Sequence, residues 1–70
     1  MERKRINAAN IRSVGYDGRN RLLEVEFSNG SIVQYSGVSE EVYRGLMNAP
    51  SPGSYFRDRI EEDFSAKRIR

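Results

Sequence analysis

The side chains able to do chemistry in this 70-residue chain form a short inventory, for it holds neither histidine nor cysteine. That removes the usual proton-transfer group near neutral pH, the best nucleophile and the soft ligands of zinc or copper. Glu24 and Glu26 share one side of a predicted strand, and paired carboxylates can do acid-base work. Alternating acids also simply keep a strand face wet, and that plainer reading is preferred here. Glu61, Glu62 and Asp63 offer hard oxygen ligands, but on a predicted helix neighbouring positions point about 100° apart and do not converge on one ion. The inventory predicts no catalytic residue, no metal and no cofactor.

Binding chemistry is better represented. Of twelve bases only Lys4 and Lys67 are lysine, and the arginine guanidinium is the better fork for phosphate. Arg12, Arg19 and Arg21 gather around the first predicted hairpin. In "SPGSYF", Ser51, Gly53 and Ser54 open a predicted helix whose unpaired N–H groups and positive dipole end suit a phosphate or carboxylate. Gly53 lets a ligand approach the backbone, and Arg57 and Arg59 follow one turn later. The same serines fit ordinary helix capping, and Tyr55 and Phe56 fit an ordinary core. Tyr35 has two readings: it stacks an unpaired base on an open sheet face, or it packs beneath the chain ends or against a second subunit.

The elements that must position these groups are read from periodicity. Residues 11–16, IRSVGY, are β-branched and aromatic, and "DGRN" after them marks a turn. RLLEVEF alternates, with Leu23, Val25 and Phe27 on one side and Glu24 and Glu26 on the other. Asn29-Gly30 suits a two-residue type I′ turn, with strand three over 31–36. That loop length pairs Phe27 with Ile32, Glu26 with Val33, Val25 with Gln34 and Glu24 with Tyr35, placing Tyr35 among the acids. The first strand's faces stay undetermined, because the parity of its longer loop is open.

After Gly37 the period changes. Ser39 is a hydroxyl N-cap ahead of Glu41, and Val42, Tyr43, Leu46 and Met47 form one stripe of a helix over about 40–48. Pro50 stops it. Ser51 and Pro52 start a second helix whose stripe is Phe56, Ile60 and Phe64, ending near Asp63. The order is β-β-β-α-α: an α+β domain over residues 10–64 in which both helices cover one face of a three-stranded meander built on Leu23, Val25, Phe27 and Ile32. Residues 1–9 and 65–70 read as basic tails, the second of them frayed.

The net charge of +2 hides an asymmetry, since residues 6–64 carry six bases against nine acids and the excess of bases lies at the two ends. No stretch is a signal peptide or a membrane span, and the absence of cysteine fits a reducing compartment, so a cytoplasmic location is expected. A chain this short buries only about 60% of its unfolded surface and has no staple, so it folds on packing alone or dimerises.

Taken together, "NIRSVGYD", "LEVEFSNG", "GVSEEVYRGLMNA" and "SPGSYFRDRI" resemble the KTSC domain, a bacterial module named for its place at the C-terminus of some lysyl-tRNA synthetases and also found alone. The likeness runs from about Asn10 to Ile69. It departs where the family's Tyr-x-Tyr reads Val33-Gln34-Tyr35, where a frequent proline is Ser39, and where a serine pair is Ala8 and Ala9. The resemblance implies the β-β-β-α-α fold and an accessory, non-catalytic role in RNA binding, to tRNA or single-stranded RNA. The rival is a protein-interaction module or homodimer that adds a strand across an unpaired sheet edge.

Overall fold

The computed structural model describes residues 3–6, 8 and 10–70; Met1, Glu2, Asn7 and Ala9 lie outside the described residues, and with them part of the expected N-terminal tail and of the departing Ala8-Ala9 pair. Its elements are β1 (Arg3–Arg5), β2 (Ile11–Asp17), β3 (Leu22–Phe27), β4 (Ile32–Ser36), α1 (Glu40–Asn48), α2 (Pro52–Arg59) and β5 (Ser65–Arg68). The sheet has five strands in the order β1-β2-β3-β4-β5, every neighbouring pair antiparallel. The expected three-stranded meander is therefore its centre, and the basic segments read as tails supply both edges.

The register of β3 and β4 also differs from the expected one. Phe27 N donates to Ser31 O (2.8 Å) and Gly30 N to Phe27 O (2.9 Å), with only Gly30 in the left-handed region, at φ 91°. The connection is thus three residues long, a turn closed by a left-handed glycine, rather than a two-residue type I′ turn. Asn29 Oδ1 locks it, accepting from Ser31 N (3.0 Å) and Ser31 Oγ (2.7 Å). One extra loop residue moves every β4 side chain to the opposite face. Leu23 now pairs with Tyr35, Glu24 with Gln34, Val25 with Val33 and Glu26 with Ile32.

Cross-strand partners point the same way, so one face carries Val14, Tyr16, Leu23, Val25, Phe27, Val33 and Tyr35. Both helices cover it. Leu46 of α1 and Phe56 of α2, with Ile60 just beyond, join Ile11, Val14, Leu23, Val25, Tyr35 and Val38 in one buried cluster. Tyr35 and Phe27 meet the Phe56 ring edge-on at centroid distances of 5.4 and 5.8 Å, and Tyr16 stacks on Tyr43 at 4.6 Å. Each buried aliphatic side chain contributes about 1.5–3 kcal/mol. Ile32, expected in this core, is buried opposite Glu26 and apart from the cluster.

The helices keep the bounds that their stripes imply, with one exception. Ser39 Oγ accepts from Val42 N (3.3 Å) and starts α1 as expected. Gly45 of α1 lies against Tyr55 of α2, where an added Cβ would be 2.7 Å from the ring Cζ. Close packing of the two helices thus depends on that missing side chain. α2 ends at Arg59 rather than near Asp63, and Glu61 to Asp63 lie in the turn after it.

Candidate functional site

The expected site residues separate into three places. Ser51, Gly53, Ser54 and Arg57 come together: with Asn10, Ile11, Phe27, Phe56, Ala8 and Glu61 they line a groove of about 450 Å³ between α2 and the β3–β4 end of the sheet. A shallower depression, lined by Asn10, Phe27, Ser28 and Asn29, continues it. The floor of the groove is apolar and aromatic; its rim carries hydroxyls, an amide, the exposed Arg57 guanidinium and the exposed Glu61 carboxylate.

The local sequence explains why this rim is polar. Pro52 occupies the first helical position and has no N–H, which leaves Gly53 and Ser54 as the first amide donors of α2. Unlike Ser39, Ser51 makes no side-chain cap; its Oγ donates to Ser54 Oγ instead (3.1 Å). Gly53 is not demanded by protein packing, since a Cβ there would make only ordinary contact with Ala8, at 3.6 Å. Arg57 is bound only loosely, 3.8 Å from the neighbouring Asp58.

Arg12 stands at the second place. A β-bulge between Ile11 and Ser13 leaves it as the extra residue and turns it outward. Its Nη2 donates to Ser28 O (3.1 Å), beside the groove, and its Nη1 is 3.7 Å from Glu26 Oε2 on the opposite sheet face. Arg12 thus belongs to the groove's outer end.

Arg19 and Arg21 are in the third place, the β2–β3 turn at the far end of β2, so the expected cluster of three arginines does not form. About five residues of extended strand, some 17 Å, intervene between Arg12 and that turn. Asp17 builds the turn, accepting from Arg19 N (3.1 Å), Asn20 N (3.4 Å) and Asn20 Nδ2 (2.8 Å). The side-chain bond from Asn20 comes first among the causes holding the Asp17 carboxyl below its usual pKa. Arg21 adopts φ 54°, unusual for a residue with a side chain, and its carbonyl accepts from Val38 N (3.0 Å). Its structural work is done by its backbone.

Tyr35, expected on the face of Glu24 and Glu26, lies instead on the apolar face with Leu23. It is 4% exposed beneath Phe56, and burial, with the Glu61 charge second, raises its phenol pKa. No base can stack on it. Sequence reasoning missed an available signal: Val33 and Tyr35 are apolar and two apart around polar Gln34, which assigns that pair to the apolar face.

Besides Glu24 and Glu26, the face opposite the helices carries groups that the sequence did not single out. Row by row, Arg3, Gly15, Glu24, Gln34 and Lys67 align across all five strands, and Arg5, Ser13, Glu26 and Ile32 across the first four. Arg3 spans side-chain-free Gly15 to bond Glu24, its Nε 2.7 Å from Oε1. Gln34 Nε2 donates to Glu24 Oε2 (3.1 Å), and Ser13 Oγ to Glu26 Oε1 (2.9 Å). Arg70 Nη2 is 3.9 Å from Glu26. Burial works to raise the Glu24 pKa, but the bonds from Gln34 and Arg3 and the Arg3 charge outweigh it and hold it below the ordinary range. Both carboxylates are thus held by neighbouring side chains, Glu24 by Arg3 and Gln34 and Glu26 by Ser13, with Arg12 and Arg70 close by.

Residues 7–64 match the model of the KTSC domain. The chain belongs to the KTSC domain family. A KTSC domain protein of Yersinia pestis has the same fold, with a TM-score of 0.92 and 36% identity, covering 99% of this chain and 97% of that one. An uncharacterized protein of Stutzerimonas stutzeri is 41% identical over 56 residues, 80% of this chain and 79% of its own. A lysine–tRNA ligase of Nostoc punctiforme is 32% identical over 59 residues, 84% of this chain but 10% of the ligase. The chain thus spans about a tenth of that ligase. Among the described residues, no helix is long and apolar enough to cross a membrane.

Proposed function

We propose that this KTSC domain is a non-catalytic, cytoplasmic accessory module that binds RNA, with tRNA or a single strand as its ligand class. The observation carrying this reading is the groove, which unites Ser51, Gly53, Ser54 and Arg57 over an apolar floor and has Arg12 at its outer end. A volume of about 450 Å³ falls within the range of small-ligand sites, about 300–1,000 Å³, and so accommodates a nucleotide. Its free donors and arginines suit phosphate. The occurrence of a similar segment in a lysine–tRNA ligase supports the choice of RNA over other anions.

The alternative, a homodimer through a sheet edge, is disfavoured by charge. The two edges are β1, Arg-Lys-Arg, and β5, Ser-Ala-Lys-Arg, so self-pairing sets bases against bases. Sedimentation is expected to give a monomer of 8.1 kDa.

Fluorescence anisotropy with labelled tRNA and single-stranded RNA tests the proposal. Affinity should fall roughly 10- to 100-fold between 50 and 200 mM salt, the behaviour of two to four phosphate contacts. Arg57→Ala and Arg12→Ala should each lower the salt slope by about one. No binding at 50 mM salt would overturn the reading.

A further inference from the structure

We infer that the open face of the sheet is a second RNA surface and that it takes the backbone of an A-form duplex across its wide minor groove. The inference rests on the RNA-binding reading above and specifies the form of RNA that the module prefers.

The argument begins with which charges reach solvent. Glu24 and Glu26 carry charge that repels phosphate, but their side chains are only 13% and 16% exposed. The arginines that they hold lie outside them: Arg3 is 33% exposed, Arg12 51% and Arg70 68%. Lys67 and Arg5 are exposed as well. The acids form a floor that orders guanidinium groups, and an approaching phosphate meets the bases first. Arginines already ordered lose less freedom on binding.

Geometry then selects the nucleic acid. Arg12 apart, the bases lie along the two rims, on β1 and on β5 with Arg70 just past its end, and these edge strands are four strand spacings or about 19 Å apart. A B-form minor groove, about 6 Å wide, is too narrow for such a face, whereas the A-form minor groove is wide and shallow and lined with 2′-hydroxyls. Half-buried Gln34, between Glu24 and Lys67 in the row, is placed to meet one of them. Unpaired bases find nothing to stack on, because all four tyrosines and all three phenylalanines are buried or half-buried and none occupies an open-face position. Arg12, touching both Glu26 and Ser28, joins this surface to the groove.

The wild-type protein is titrated with three labelled probes of one sequence: an RNA hairpin with a long stem, the unpaired RNA strand and the DNA duplex. The hairpin should bind at least tenfold more tightly than the other two. Arg5→Ala with Lys67→Ala should weaken hairpin binding roughly tenfold and lower its salt slope by about two. Arg44→Ala on α1, with circular dichroism to show that each variant is folded, should change nothing. Single-strand binding equal to or tighter than hairpin binding would overturn this inference and leave the RNA reading standing. Absence of binding to either RNA at low salt would overturn both.

Discussion

The two faces of the sheet are closed by different physics. The helical face is shut by apolar packing, with Val14, Leu23, Val25, Leu46 and Ile60 fully buried under α1 and α2. The other is half-covered by arginines that reach in from the terminal strands and their neighbours to Glu24 and Glu26. The first kind of closure gives stability and leaves open only the groove beside the start of α2. The second adds modest stability, since exposed ion pairs contribute about 0–1 kcal/mol, and keeps a charged surface available. The division implies that substitutions in the buried core unfold the protein while those on the open face and at the groove rim change its ligand binding.

The largest test of that division is Tyr35→Ala. It removes a buried ring from the apolar face and should cost about 3–5 kcal/mol, leaving a domain this small mostly unfolded in chemical denaturation, whereas Tyr35→Phe should fold and bind RNA as wild type. Gly45→Ala attacks the same face from the helix side. It gains helix propensity but pushes into the Tyr55 ring, and a thermal melt should show a net loss of about 1–2 kcal/mol.

On the open face, Glu24→Gln should cost at most about 1 kcal/mol at neutral pH. Because the folded carboxyl titrates below its unfolded value of about 4.3, the wild-type advantage should be complete above that pH and vanish as acid protonates the folded state. Urea titrations of both proteins from pH 7 down to pH 3 measure this convergence. The smallest effect belongs to neither face: Arg21→Gly relieves a left-handed backbone and should stabilise by about 0.5–1 kcal/mol without altering RNA affinity.

The same contrast explains what could be read from the sequence. Apolar period two in β3 and the stripe of α1 are backed by burial, and those elements appear where expected, Glu40–Asn48 to the residue; α2 starts where expected, but its stripe of Phe56, Ile60 and Phe64 runs past its end at Arg59. The strands Arg3–Arg5 and Ser65–Arg68 carry no such pattern, because short basic edges are held by backbone pairing and by reaching Glu24 and Glu26 from the side. The loop "SNGS" is compatible with two or three residues, and the difference is settled by the Asn29 side chain closing on Ser31. That single residue decided the fate of Tyr35. The groove was half legible: Ser51, Gly53, Ser54 and Arg57 follow from a helix start, but Asn10 and Phe27 reach them only through the tertiary fold.

The most direct test of the account is an amide chemical-shift map of the 15N-labelled protein with the RNA hairpin added. The account predicts that the largest shifts fall on β1, β5, Arg12 and the start of α2, and that they disappear at high salt, while α1 stays unmoved. Shifts concentrated on α1 and the Arg19–Arg21 turn, or no shifts at all, would contradict it.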